Sequence, residues 1–328
     1  MVTARGMSSG NPSLSVVTAA KINLFLDILG RREDGYHVLR SIVMPISLCD
    51  RLTLEATDGI IETRVSLKHL PWEDRGLSDD PNSNLTTRAA RLLKEATGYP
   101  GGVRIDLEKY VPIGGGLGGG SADAAGALVG LNQLWGTGLS REDLMRLGVR
   151  LGCDVPALVH GGGVCMEGAG DRVSPLTDAQ GRISPCWWVV LLNPGVGVPT
   201  KDVYQRYRQL SDRKSSLTPN GEGFKKVVSA MRGNDVDLAG ANLVNALERV
   251  VFVKYPLLKM LAEGLRDAGA PGALLSGSGA TVFALARDES HAHAVRKAVA
   301  DAMGPWLWSK VVRTLPDGVM VAHGPLEA

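Results

Sequence analysis

Residues 111–125 read VPIGGGLGGGSADAA, and six glycines fall within residues 114–120, interrupted only by Leu117. Glycine in an ordered element costs about 0.5–1 kcal/mol relative to alanine, because it surrenders more backbone freedom. A core strand or helix does not carry six of them together, and a tight packing turn needs only one or two. The run therefore marks a place where the main chain itself must be reached. Before it, VRIDLEKYVPI alternates as a strand does; after it, SADAAGALVGLNQLWG reads as a helix of small residues beginning at Ser121, suited to close packing on a sheet. Strand, glycine turn and helix start together form an anion site. The first amides of a helix have no internal partners, the macrodipole makes that end positive, and missing Cβ atoms let oxygens approach. Phosphate is the natural guest.

Two common phosphate-binding folds do not fit. Residues 114–119 match G-x-G-x-x-G formally, but a dinucleotide fold also wants an acidic residue ending a second strand about 20 residues on. Glu142 and Asp143 stand at that distance, at the start of a helix. A Walker loop is excluded because no lysine precedes Ser121.

The 328-residue chain is 44% hydrophobic and 21% charged with a net charge of +2, a profile that suggests two domains and gives no footprint for nucleic acid. No window approaches the ~20 apolar residues of a membrane span. The N-terminus MVTARGMSSGNPSLS lacks a signal peptide's apolar core and reads as a flexible leader, 1–14, with Met7 an alternative start. The cysteines at 49, 153, 165 and 186 form no C-x-x-C pair, and three sit in apolar contexts. Buried, reduced thiols in a cytoplasmic protein are expected.

Strand patterning covers LSVVTAAKINLFLDILG and SIVMPISLCDRLTLEA, with Asp34-Gly35 a hairpin signal between them. NLTTRAARLLKEATG is a helix closed by Gly98, and Ser140 with Asp143 forms a capping box for the next one. CWWVVLLNPG is a buried strand, Thr200 an N-cap, and 211–223 a long surface loop. Helices through LVNALERVVFVKYPLLKMLAEGLRDAG, then strand, helix and two strands, complete the chain. Segregated strands and helices favour an α+β fold in two lobes, 15–176 and 177–328.

P-I-G-G-G-L-G-G-G-S-A-D-A-A (112–125) resembles the central motif of the GHMP kinases, the superfamily of galactokinase, homoserine kinase and mevalonate kinase. AAKINLFLDILGRREDGYH (19–37) resembles its N-terminal motif and LLSGSGATVFAL (274–285) its C-terminal glycine turn, in the right order. K-I-N-L-F-L followed by R-x-D-G-Y-H is similar to the member that phosphorylates a diphosphocytidyl sugar alcohol in isoprenoid-precursor synthesis. The resemblance implies a two-lobed fold with the active site between lobes, and ATP as co-substrate with Mg²⁺.

It also implies roles. Lys21, costly inside AAKINLFL unless paired, is placed at the transferred phosphoryl group. Asp154, in G-x-D-V-P and read as extended before Val155-Pro156, either takes the acceptor's hydroxyl proton or orients that hydroxyl. A Lys21–Asp154 pair keeps the carboxylate ionised. Pro112, Ile113, Gly114, Gly115, Gly116, Leu117, Gly118, Gly119, Gly120, Ser121 and Ala122 resemble the phosphate loop, with Lys109 and Asn84 at the nucleotide. Asn23, Tyr36 and His37 resemble substrate contacts, the Tyr-His pair suiting a cytosine; Thr200 is either a cap or a phosphate contact. Ala20 replaces a common proline and Ala122 a frequent serine. Ser121 serves phosphate or Mg²⁺, and the metal's ligands stay unassigned.

Overall fold

The computed structural model describes residues 11–31, 37–70, 72, 81–179, 181–211 and 221–322. Fourteen strands and ten α-helices are formed among them. The first sheet uses β1 (Ser13–Arg31), β2 (His37–Thr57), β3 (Ile61–Ser66) and β4 (Gly102–Glu108), with α1 (Leu85–Thr97) between the last two. β1 begins inside the stretch read as leader. The apolar run in β1 and β2 explains their length, and three register shifts between Ala19/Ala20, Asn23/Phe25 and Ile28/Gly30 bend the pair. Helices α2 (Gly119–Leu134), α3 (Arg141–Val149) and α4 (Val155–His160) follow the glycine run.

α2 packs closely because its outward positions on the sheet side are glycine. A Cβ on Gly126 would fall 2.1 Å from Thr18 Cγ2, and one on Gly130 2.6 Å from Leu54 Cδ1. Small strands β5 (Val164–Gly168), β6 (Arg172–Pro175), β7 (Thr177–Asp178) and β8 (Gly181–Arg182) lead to β9 (Trp188–Asn193). Then come α5 (Thr200–Ser211), α6 (Gly221–Gly233), α7 (Val236–Ala241), β10 (Val244–Asn245), α8 (Glu248–Lys254) and α9 (Pro256–Asp267). β11 (Gly272–Leu275), β12 (Val282–Ala286), α10 (Glu289–Met303), β13 (Trp308–Arg313) and β14 (Val319–Ala322) end the described chain. Residues 221–223, expected in the surface loop, are helical; residues 212–220 lie outside the described residues.

The first sheet runs β10-β1-β2-β4-β3, with β14 on β1, β5 on β2 and β6 on β5; the second runs β11-β12-β9-β13. This is an α+β architecture. Strand alternation sorts the second sheet's side chains into two cores. Val190, Leu192, Val282 and Ala284 face α8, α9 and α10. Val189, Leu191, Phe283 and Leu285 pack with Ile22, Leu24, Ile42 and Met44 of the first sheet. Both faces being covered, VVLL reads as a continuous apolar run. A third core joins α1 and α2 to β2 and β4 through Ala90, Leu93, Leu128, Leu54 and Ile105.

The expectation of buried cysteines is corrected. All four are free thiols, but Cys153 and Cys186 are exposed and Cys49 and Cys165 half-buried. Alternation turns Cys186 outward while Ile183, Pro185 and Trp187 turn in. Among the described residues no helix is long and apolar enough to cross a membrane.

Candidate active site

The glycine run curls around the start of α2. Gly114, Gly116 and Gly118 take φ of +66°, +76° and +69°, a region that costs any residue with a Cβ about 1–2 kcal/mol. Positive φ at alternate residues makes a main-chain concavity of the kind that receives anions. Leu117 is buried among Val111 and the strands of both sheets, so the one side chain in the run anchors it. The Leu117 carbonyl accepts from the Lys21 amide at 2.8 Å. α2 begins at Gly119 rather than at the expected Ser121, and its cap, Gly118, supplies no side-chain hydrogen bond. By contrast Asn84, Ser140, Asp235 and Asp288 cap α1, α3, α7 and α10. The orphan amides of a 16-residue helix thus lie at the cleft.

That cleft encloses about 1590 Å³ and is walled by distant parts of the chain: Lys21, Asn23 and His37, the loop 112–121, Asp154, Thr200 and Tyr204, Gly277 and Ser278. Lys21 is buried in β1, where Nζ donates to Asn23 Oδ1 at 2.7 Å and lies 3.4 Å from Asp154 Oδ2. Asn23 Nδ2 donates to Ser41 Oγ at 2.8 Å, and Ser41 Oγ to the Phe25 carbonyl at 2.7 Å. A chain of hydrogen bonds therefore fixes the acceptor that holds the ammonium. A Cβ on Gly118 would fall 2.9 Å from Lys21 Cγ and 3.5 Å from Asp154 Oδ2. The ion pair stands where the loop ends.

Asp154 is not extended, as the sequence suggested, but helical at φ −81°, ψ −17°, the residue before α4. The proline restriction acts on Val155, and proline is tolerated in a first helical turn. Asp154 makes no side-chain cap bond, so its carboxylate is turned to Lys21 instead.

Lys109 is buried against Asp50 on one side and Asp123 on the other, the latter at 2.6 Å. Asp50 Oδ1 also accepts the amides of Tyr110 and Val111 at 2.6 and 2.9 Å, and Asp123 Oδ1 accepts from Thr18 Oγ1 at 3.2 Å. Burial pushes the Asp123 carboxyl up to about 7 against the pull of Lys109, with Asp50 adding to the rise. Burial also opposes the Lys109 charge, but the two carboxylates outweigh it and raise that pKa. Sequence reasoning named Lys109 and missed both aspartates. A signal existed: an aspartate in SADAAGA is as anomalous in a small-residue core helix as a lysine in AAKINLFL.

Asn84 Oδ1 accepts the Thr86 amide at 2.8 Å, capping α1, and the residue lines the cleft beside Thr63, Val65 and Leu107. Ala122 does not reach the cleft wall; its side chain lies in the third core and its amide bonds the Gly118 carbonyl. Thr200 opens α5, its hydroxyl 2.8 Å from Ser278 Oγ. The C-terminal turn docks on the loop: the Thr281 amide donates to the Gly115 carbonyl and Ser276 Oγ to the Gly116 carbonyl, each at 3.0 Å.

Comparison with known proteins places this geometry. The model of the GHMP kinases N terminal domain matches residues 84–162, and that of the GHMP kinases C terminal domain matches residues 227–305. A 4-diphosphocytidyl-2-C-methyl-D-erythritol kinase from a Geobacter strain is 38% identical over 302 residues, 92% of this chain and 99% of the relative. The enzyme of the same name from Symbiobacterium thermophilum is 42% identical over 269 residues, 82% of this chain and 89% of its own. The chain belongs to the 4-diphosphocytidyl-2-C-methyl-D-erythritol kinase family. Among solved structures, a 4-(cytidine 5'-diphospho)-2C-methyl-D-erythritol kinase superposes with a TM-score of 0.72 at 34% identity, covering 91% of this chain and 98% of that one. A homoserine kinase from Cytophaga hutchinsonii reaches the same TM-score at 21% identity, covering 97% and 100%, a likeness of fold.

In this 4-diphosphocytidyl-2-C-methyl-D-erythritol kinase family member, His37 and Tyr204 give the cleft an aromatic patch. The His37 ring lies 5.4 Å from Tyr204, tilted by 38°, and meets Tyr207 edge-on at 6.0 Å. Burial raises the pKa of the Tyr204 hydroxyl, with Asp154 and Cys153 adding to the rise. Tyr204 escaped sequence reasoning because YQRY reads there only as one face of a helix. Tyr36 and the hairpin signal Asp34-Gly35 lie outside the described residues.

Proposed function

We propose that the cleft transfers the γ-phosphoryl group of ATP to the 2-hydroxyl of 4-diphosphocytidyl-2-C-methyl-D-erythritol. The observation that carries this is the Lys21–Asp154 pair, 3.4 Å apart at the end of an uncapped glycine loop. Phosphoryl transfer asks a protein mainly for positioning and charge stabilisation. The main-chain amides from Gly114 to Ser121 bind the phosphates, and Lys21 neutralises charge on the group in transit. Asp154, paired with that ammonium, accepts the acceptor's hydroxyl proton.

The apolar wall of Val65, Leu107 and Val111 with Thr63 and Asn84 suits a nucleobase, and we assign it to ATP, with Lys109 beneath. His37, Tyr36 and Tyr204 take the cytosine, by stacking and by the edge of the imidazole. Asn23 and Thr200 face the sugar alcohol and its phosphates.

Magnesium fits as part of the nucleotide complex rather than in a protein cage. Among the described residues no three His, Cys, Asp or Glu side chains gather to hold a metal. Ser121 and Asp154 offer a hydroxyl and a carboxylate at the cleft, a hard donor set that needs phosphate oxygens to complete it. Bound there, the ion would neutralise phosphate charge. We place the enzyme in the cytoplasm, where nucleotide co-substrates are supplied. Its lobes divide near residue 176, with β10 and β14 returning from the second to the first.

The test is a panel of alcohols offered with ATP while ADP release is followed. The diphosphocytidyl alcohol should be turned over far faster than homoserine or mevalonate; equal or absent turnover refutes the assignment.

A further inference from the structure

The turn at residues 276–279 touches the site on three sides. Ser276 Oγ holds the Gly116 carbonyl, and Ser278 Oγ meets Thr200 Oγ1. A Cβ on Gly277 would fall 3.4 Å from Lys21 Nζ and 3.6 Å from Asn23 Oδ1. Any displacement of this turn therefore moves the phosphate loop, the start of α5 and the surroundings of Lys21 together.

The turn's own main-chain bonds run from the Ser276 amide to the Thr281 carbonyl and from the Gly279 amide to the Ser276 carbonyl, each at 2.9 Å. The carbonyls of Leu275 and Gly277 are taken by one side chain. Asn245 Nδ2 donates to them at 2.8 and 2.7 Å. Its Oδ1 accepts the Leu247 amide at 2.9 Å, which leaves the carboxamide a single orientation, since only the nitrogen can donate. Asn245 is buried, and it stands in β10 beside Leu26 of β1, the strand that carries Lys21. Three residues on, Glu248 Oε1 accepts the Leu275 amide at 2.9 Å. Leu275 is thus gripped at both its polar atoms by side chains from one short segment. Neither Asn245 nor Glu248 lines the cleft.

We infer that Asn245 and Glu248 are positioning residues for phosphoryl transfer, holding the turn 276–279 in register with the phosphate loop and Lys21. A misplacement of about 1 Å remote from the chemistry is enough to cost 10²-fold in rate. The turn abuts the phosphate loop and α5, so ground-state binding should weaken a little, but the larger loss should fall on kcat, because Lys21 acts on the group in transit. The inference rests on the kinase reading proposed above.

The experiment compares Asn245→Ala, Glu248→Ala and Glu248→Gln with wild type, measuring kcat, both KM values and thermal melting. Glutamine keeps the oxygen that accepts the Leu275 amide, so Glu248→Gln should stay within about twofold of wild type. The two alanine variants should lose about 10–100-fold in kcat with each KM within about threefold, the pattern of an interaction that matters in the transition state. Alanine variants with kcat within twofold per folded molecule overturn the inference. So does a Glu248→Gln variant as impaired as Glu248→Ala. If Asn245→Ala does not fold, the two Glu248 variants decide alone. Wild-type turnover of the alcohol tests the kinase reading, whereas variant-to-wild-type ratios test positioning.

Discussion

Replacing Gly118 by alanine, with Gly114→Ala beside it, isolates what the glycine loop does for Lys21. Both glycines hold nearly the same positive φ, +69° and +66°, so both variants carry the same backbone penalty of about 1–2 kcal/mol. Their surroundings differ. A Cβ at Gly114 meets nothing within 4 Å, while one at Gly118 lands 2.9 Å from Lys21 Cγ and 3.0 Å from Lys21 Cε. Ordinary carbon contacts lie near 3.5–4.0 Å, so the Lys21 stem must retreat by about 0.6–1 Å. That stem is flexible, and its retreat adds little to the stability loss. It does carry Nζ away from a 3.4 Å pair with Asp154. Both variants should therefore melt alike, about 2–6 °C below wild type. At saturating ATP, Gly118→Ala should turn over about 10–100-fold more slowly than Gly114→Ala. Differential scanning fluorimetry and steady-state kinetics supply both readings. Equal turnover in the two variants would falsify the claim that this glycine protects the placement of Lys21.

Asp154→Asn keeps the side chain's shape and removes its charge, so it should lose about 10²–10⁴-fold in kcat while calorimetry still detects ATP; near-normal turnover removes Asp154 from the mechanism. Lys21→Ala should be comparably slow, and the double variant little slower than either, because such pairs act as a unit; additive losses mean that they act separately. His37→Ala should raise KM for the diphosphocytidyl alcohol well above any change for ATP, and parallel changes would dismiss the cytosine role. Asp123 holds its proton more tightly folded than unfolded, about 7 against an ordinary carboxylate near 3.9. Its contribution to stability is thus present below about pH 4 and lost as pH rises through 7. Urea unfolding should show wild type losing stability relative to Asp123→Asn between about pH 4 and 7; a gap moving the other way is the refuting result.

Legibility in the sequence followed the range of the interaction. The glycine turn into α2, the Ser140–Asp143 capping box and the closing role of Gly98 are made by neighbours in sequence, and each is found in the structure. The Lys21–Asp154 pair joins residues far apart: a lysine in an apolar strand demands a partner, and the family resemblance, not the strand, pointed to Asp154. The cluster of Asp50, Lys109 and Asp123 obeys the same demand, but its members are 59 and 14 residues from Lys109 and periodicity says nothing of which strands meet. Asp154 was misread because a local proline rule was applied one residue too early. The thiols were misread because apolar neighbours in sequence need not be neighbours in space: Cys186 alternates outward from a strand entrance. Asn245 could not be singled out, since its partners are carbonyl groups about 30 residues away.

The pairing of β14 with β1 has a bearing on how the chain is made. Residues 319–322 run antiparallel to residues 15–18, and the Ala19 amide bonds the Gly318 carbonyl. Among the described residues, the first strand in the chain is therefore completed by the last. Until residue 322 has emerged, the β1–β2 hairpin must wait with a row of unfilled amides and carbonyls along one side, an edge open to pairing with another nascent chain. Ribosomes stalled between α10 and β14 should thus release aggregation-prone protein, although every residue lining the cleft has already been translated.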